Sequence, residues 1–350
     1  MSRTSDIIQC MRKRLPWGVA YNIFTSLNLE KGLGWPGTEK KVLDGDTTYE
    51  SKEKELELAL EEHLICGEKI VRFYELLEQD IDTLRKKMVN LLPEIPNDKM
   101  TTRYPILLDG NDLNDRYFEP QIISVRELVD GWAVSVGVKR TISIKHQADV
   151  ANLKDVPQQF SNCKKITGIE FSEIQAIDVL WVPKSSNIIE LRIDYLKSNK
   201  KDYNKECFYK CKNFFVDKFG DIFGKPINLF PILEKIYKDN ENGTITELGF
   251  MISSGAQKLE KSRRGGTCCR VEAYHLGGTE KLDFPIQVYR ENVMWKREIA
   301  KEIYSSPEIG LYGLSHQTAL PNPELFEMFF FNCMGVSDYE FVKNNILGYL

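Results

Sequence analysis

The chain has 350 residues, with 47 Lys and Arg against 51 Asp and Glu and a formal net charge of −4. Hydrophobic residues make up 42% and charged residues 28%, enough apolar material for one large packed domain or two, and too much for a disordered chain. The slightly acidic balance excludes a domain that is basic along its whole length, so contact with nucleic acid would have to come from local basic patches.

Eight cysteines are scattered over the chain, unlike the dense spacing of small disulfide scaffolds. The opening MSRTSDIIQCMRKRLPWG lacks the apolar run of a signal peptide. No stretch approaches the roughly 18 uninterrupted apolar residues of a membrane span. A cytoplasmic chain with free thiols and no membrane contact is the expectation.

LPWGVAYNIF reads as helix or strand, and GLGWPGTEKKVLDGD as loop because Gly and Pro punctuate it. Thr47 and Glu50 have capping-box spacing. Leu56, Leu60 and Leu64 follow at intervals of four, and Ile70, Tyr74, Leu77, Ile81, Leu84, Met88 and Leu91 continue in steps of four and three. Over residues 49–92 this predicts a heptad-bearing helix, or two helices broken near Gly67, ended by Pro93 and Pro96. Such a stripe must be covered, either by the rest of the chain or by a partner or second copy, with Ile70, Leu77, Ile81, Leu84 and Met88 as the interface in the second case.

From about residue 100 the pattern turns to short β-branched runs: YPILLDG, QIISVREL, WAVSVGV and RTISIKH. DGNDLND reads as a solvated turn, because Leu113 stands where a calcium loop needs an oxygen ligand. Residues 169–196 read as a hairpin turning at PKSSN, and 202–219 as a helix with lysines on one side and phenylalanines on the other. TELGFMIS, CRVEAYHL and FPIQVYR read as strands, and YEFVKNNIL as a helix. These elements predict an α+β fold. A helical, coiled-coil-like segment (1–97) packs on or extends from a mainly antiparallel body (98–350) with interspersed helices, itself divisible near residue 160.

Three constellations could carry chemistry. On the hairpin, with PKSSN as the loop, Asp178 faces Arg192 and Leu180 faces Glu190. That is a cross-strand ion pair worth roughly 0.2–1 kcal/mol. An Asp, a hairpin and Glu–apolar–basic also resembles the metal core of PD-(D/E)xK nucleases. The resemblance implies Asp178 and Glu190 as Mg²⁺ ligands with Arg192 beside the attacking water. Arg192 stands where lysine is usual, and no Pro precedes Asp178.

The second constellation is basic: Lys258, Lys261, Arg263, Arg264 and Arg270 around Gly265-Gly266, suited to phosphate. Lysines around the 202–219 helix, among them Lys200 and Lys201, interleave with Tyr195, Tyr203 and Tyr209 and extend the nucleic-acid reading. The third is a thiol set, Cys207, Cys211, Cys268, Cys269 and His275. Neighbouring cysteines rarely share one zinc, so no metal site is expected. ITELGFMISSGAQKLEKSRRGG with CRVEAYHLGGTE resembles uncharacterised bacterial proteins encoded beside mobile-element and defence genes.

Walker, dinucleotide-binding, nucleophile-elbow and kinase motifs are all missing. The expected function is a non-catalytic binding subunit of a larger cytosolic assembly that recognises nucleic acid or a phosphate-bearing ligand without a cofactor. The alternative is the Mg²⁺-dependent nuclease.

Overall fold

A computed structural model describes residues 2–45, 47–91, 95–114, 118–160, 162–196, 201–263 and 265–350, with the side chains of Asn114, Lys201 and Asp202 left aside. The N-terminal fifth is helical: α1 (Arg3–Arg14), α2 (Trp17–Ser26), α3 (Gly34–Leu43), α4 (Thr47–Glu50) and α5 (Glu53–Cys66). The stretch read as a Gly/Pro loop is therefore helix α3. Its Pro36 lies in the first turn, where a missing N–H costs nothing, and Trp35 packs edge-on against Trp17 and Phe24.

The heptad stripe is not one helix. After α5 the chain runs as strand β1 (Lys69–Glu75) and only then as helix α6 (Glu78–Asn90). Ile70 and Tyr74, expected on a helix, lie on one face of β1. Their four-residue spacing is even, so it satisfies a strand's period of two as well as a helical turn. The β-branched and aromatic content of KIVRFYE is compatible with strand, and pairing on both sides, with residues 188–194 and 328–330, settles it.

Helices α7 (Lys99–Arg103) and α8 (Gly110–Asn114) flank the segment YPILLDG, which is not a strand. Strand β2 (Gln121–Glu127) leads into two 19-residue strands, β3 (Gly131–Asp149) and β4 (Lys165–Pro183), and then β5 (Ile188–Asp194). WAVSVGV and RTISIKH are thus one continuous strand. Helices α9 (Lys201–Phe219) and α10 (Phe230–Lys238) follow, then β6 (Thr244–Met251) and β7 (Gln257–Lys261). CRVEAYHL is a 3-10 turn and helix α11 (Ala273–Thr279), not a strand. The Glu272 carboxylate accepts the Tyr274 and His275 N–H groups and starts that helix. The chain closes with β8 (Gln287–Met294), β9 (Arg297–Ala300), β10 (Ile303–Ser305), β11 (Glu308–Tyr312), β12 (Met328–Phe331) and α12 (Val336–Leu347).

The fold is α+β, as expected. Ten strands form one sheet in the order β2-β3-β4-β5-β1-β12-β11-β8-β6-β7, and each described pairing is antiparallel. Strand β1 lies between β5 and β12, so the expected boundary at 97 does not part a helical segment from the β body. Residue 160 lies in the connection between β3 and β4, which pair along their full lengths, so no boundary falls there.

One face of the sheet is covered by α1, α2, α5, α10 and α12, except at edge strand β7 and along the outer part of β3 and β4. On the other face a second cluster buries residues of β1 to β5 under α6 and α9 only. Half of the sheet is therefore sandwiched, while among the described residues β12, β11, β8, β6 and β7 give that second cluster no fully buried side chain, only the half-buried Phe329 of β12 at its margin.

Ile81, Leu84 and Met88 of α6 are buried in this second cluster, against the chain's own sheet. Leu77 is 66% exposed at the start of α6. The five residues thus do not form one seam for a partner, because the sheet already covers four of them. Leu84→Ala is expected to lower stability in urea unfolding by about 2–5 kcal/mol, the usual cost of a core truncation, while leaving the molar mass in light scattering unchanged.

Candidate nucleic-acid interface

The nuclease constellation is taken apart by a one-residue register difference. The observed β4–β5 pairs are Val179↔Arg192, Leu180↔Leu191 and Trp181↔Glu190. A shift of one residue moves a strand's side chains to the opposite face. Asp178 therefore lies on the face of the second cluster, while Glu190 and Arg192 lie on the other. Two carboxylates on opposite faces of a sheet do not chelate one ion.

Each is also saturated by the protein. Glu190 is held by Arg192 at 2.8 Å, by Lys343 Nζ at 2.8 Å and by the Tyr339 hydroxyl at 2.6 Å. The Arg192 guanidinium lies between the rings of Trp181 and Tyr339, 4.8 and 4.0 Å from their centroids. Burial alone would raise the Glu190 carboxyl; Arg192 and Lys343 outweigh it and hold it below the usual carboxylate range.

Asp178 belongs to a different network, at the point where β4 and β5 part. Both oxygens of Asp178 accept from Arg140 Nη2, at 2.8 and 2.6 Å. Beyond the last paired residues, each strand's free N–H is taken by the other strand's aspartate. The Asp194 N–H donates to Asp178 at 3.2 Å, and the Ile177 N–H donates to Asp194 at 2.7 Å. Lys69 Nζ enters the fork and donates to Asp194 Oδ1 at 2.5 Å and to the Ile177 carbonyl at 2.6 Å. Arg14 of α1 closes the group on Asp194. Burial would raise Asp194, but Arg14 and Lys69 hold its carboxyl well below the usual range.

A cleft of about 800 Å³ opens beside this fork, walled by α1, residues 106–110 and the β3–β4 ribbon, with Lys13, Arg14, His63 and Arg103 on its lining. Arg14 is taken by Asp194, and Arg103 lies near Asp6 and Asp112. His63 is 3% exposed, with Nδ1 3.1 Å from the Cys333 carbonyl and its ring filling the space beside Gly67.

The uncovered half of the sheet has a different character. On its open face the rings of Tyr195, Phe331, Phe329 and Tyr312 form a continuous row. The centroid separations are 5.3 Å (Tyr195–Phe331), 5.6 Å (Tyr195–Phe329), 6.2 Å (Phe329–Phe331) and 4.8 Å (Phe329–Tyr312). Arg290 continues it, its guanidinium 4.1 Å from the Tyr312 centroid. The Tyr312 ring lies along the sheet over Gly310, where a Cβ would come within 2.4 Å of its hydroxyl oxygen. Glu247 joins Arg290 to Lys261 on the next two strands. All four rings are half-buried, each with part of its surface open to solvent.

The basic residues expected from sequence divide around this face. Lys258 and Lys261 lie exposed on edge strand β7, and Arg263 lies exposed just beyond it. The side chains of Lys258 and Arg263 form no ion pair among the described residues. Arg264 and Lys200 lie outside the described residues, as does the side chain of Lys201.

Arg270 is not a surface cation. It is 4% exposed and donates to the carbonyls of Ile236, Asn242 and Gly243, tying the end of α10 to the turn before β6. Cys207 and Cys211 are buried under α9, and Cys269 is buried in the cluster on the opposite face, so the thiol set is not assembled. Sequence reading selected Tyr195 and missed Phe329, Phe331, Tyr312 and Arg290. The run MFFF held the signal: a strand apolar at every position carries side chains on both faces, and one core needs only alternate ones.

Two outcomes follow from the buried groups. Asp194→Asn leaves Lys69 and Arg14 buried without their anion and is expected to cost about 3–5 kcal/mol in denaturant unfolding. Burial lowers the His63 pKa to about 4 from its ordinary 6.5, so the unfolded chain takes the proton first. Stability is expected to fall by about 3 kcal/mol as pH drops through that window, and His63→Gln to remove this part of the pH dependence. No protein-family model, curated protein or solved structure matches this chain, so the geometry carries the functional reading.

Proposed function

We propose that this protein is a non-catalytic binding subunit that takes single-stranded nucleic acid across the open half of its sheet. The observation that carries the reading is the row Tyr195–Phe331–Phe329–Tyr312–Arg290, which starts at the margin of the second core, where Tyr195 and Phe329 pack, and runs out along a sheet face with no further buried cluster over it among the described residues. Bases stack on aromatic rings and on guanidinium planes, and each stack contributes about 1–3 kcal/mol without regard to sequence.

The five strands from β12 to β7 give this platform a width of about 19 Å, four spacings of about 4.8 Å. Arg263 stands at its far edge with charge to offer phosphate, whereas Lys258, paired with Phe250, projects from the opposite face of β7 and Lys261, Arg290 and Arg72 are engaged by Glu247 and Glu327. Aromatic stacking therefore supplies the main attraction, and Arg263 supplies the salt dependence. The reading needs no cofactor, and a cytoplasmic place within a larger assembly is consistent with it. Mg²⁺ belongs to the nuclease alternative, which the separation of Asp178 from Glu190 disfavours.

Fluorescence anisotropy with labelled oligo-dT and oligo-U at several salt concentrations tests the proposal. Tyr312→Leu and Phe329→Leu are each expected to weaken binding about 5- to 100-fold. Charge reversal at Arg263 is expected to flatten the log K against log salt slope by about 0.7 per lost phosphate contact. Equal affinity in all variants, or no binding by the wild-type chain, would sink the reading. Mg²⁺- or Mn²⁺-dependent cleavage that Glu190→Gln abolishes would revive the nuclease.

A further inference from the structure

The β3–β4 ribbon is longer than the sheet that anchors it. Strand β2 accompanies β3 only to Gly137, and β5 accompanies β4 only over Val179–Trp181. Beyond those points β3 and β4 continue alone to Asp149↔Lys165. Among the described residues, the outer edge of β4 from 165 to about 173 has no strand beside it. Phe171 is 74% exposed and Ile169 is 56% exposed, both on one face of that segment.

Soluble proteins block long exposed edges with Pro, bulges or clustered lysines, because unpaired N–H and C=O groups recruit another strand. KITGIEFSE contains no Pro, and the β3–β4 register runs through it without a bulge.

The segment is also complementary to itself. In an antiparallel pair of identical strands about a two-fold axis at Ile169, Ile169 faces Ile169. Phe171 then faces Thr167, and Glu173 faces Lys165, twice each. Moving the axis to Glu170 would set two like charges opposite one another, which is destabilising. Moving it to Gly168 would set Lys165 against Phe171 and lose both ion pairs. Glu173 lies 3.7 Å from Lys139 and accepts from Thr141 within its own ribbon, so it is already held in position. Lys165 has no ion-pair partner among the described residues.

We propose that the outer edge of β4 pairs with the same edge of a second copy of this chain, about a two-fold axis at Ile169, burying Ile169 and Phe171 between crossed Lys165–Glu173 pairs. Such an isologous contact closes on itself, as the commonest homodimers do. It gives the open ribbon the additional strands that a two-stranded ribbon needs to be stable in water. It is independent of the nucleic-acid reading, since no residue is shared.

Light scattering after size exclusion tests it on the full chain. The expected mass is twice the 40.5 kDa of one chain. Lys165→Glu and Glu173→Lys are each expected to halve the mass, and the double variant to restore it, because exchanging the charges rebuilds both pairs. In a Cys163→Ser background, which removes the exposed thiol nearest the ribbon, Ile169→Cys is expected to give a covalent dimer on a non-reducing gel. Circular dichroism checks that each variant is folded. A wild-type monomer, or a dimer that persists in Ile169→Lys, would overturn the proposal. So would a double charge-exchange variant that stays monomeric while folded, the result expected if the edge instead takes a strand of another protein.

Discussion

The ion pair between Lys69 and Asp194 sits inside the sheet at the fork between β4 and β5, and five elements are tied to it. Lys69 brings β1, Asp194 brings β5, the Ile177 amide and carbonyl bring β4, Arg140 brings β3 through Asp178, and Arg14 brings α1. Three cations stand against two carboxylates in this buried group. Taking such charges out of water costs several kcal/mol for each ion, and the cost is recovered only when all partners are in place. The group therefore fixes register more than it adds stability. A slip of β5 by one residue would bury Asp194 on the wrong face and strand Lys69 and Arg14 together.

This constraint also places the possible sites. Strand β1, held between β5 and β12, joins a sandwiched half-sheet to a half covered on one side only. In the sandwiched half, charged residues are internal fasteners; Glu190, Arg192 and Asp178 carry charges that look catalytic in sequence and are spent on folding. In the other half the same sheet presents aromatic rings and guanidinium groups with part of their surface free. The functional reading moves there because its side chains retain capacity to bind something outside the chain.

The ribbon that runs past the fork belongs to the same logic. The strands β4 and β5 stop pairing because Asp178 and Asp194 take the amides that would continue the ladder. That leaves β4 to go on with β3 alone and with an open edge. A local device that ends one pairing thus exposes a strand available for another.

The α+β class, the antiparallel strands, the leucine spacing of α5 and the buried face of α6 follow from the sequence, because they depend on periodicity and on residue types within single elements. Only tertiary structure decided the rest. Ile70 and Tyr74 fit a helix and a strand equally, and the choice fell to the neighbours that receive β1 at the centre of the sheet. Asp178 and Glu190 have the spacing of a metal site, but one residue of register sends them to opposite faces. The spacing of residues along two strands does not say which pairs will meet. Arg270 and Arg263 are both arginines in one basic run. One is buried against three carbonyls and the other meets solvent, because burial is set by what the distant chain places beside each. A sequence records periodicity and charge locally; which face is left uncovered depends on how the ten strands and their helices are assembled, and the aromatic platform exists only as a result of that assembly.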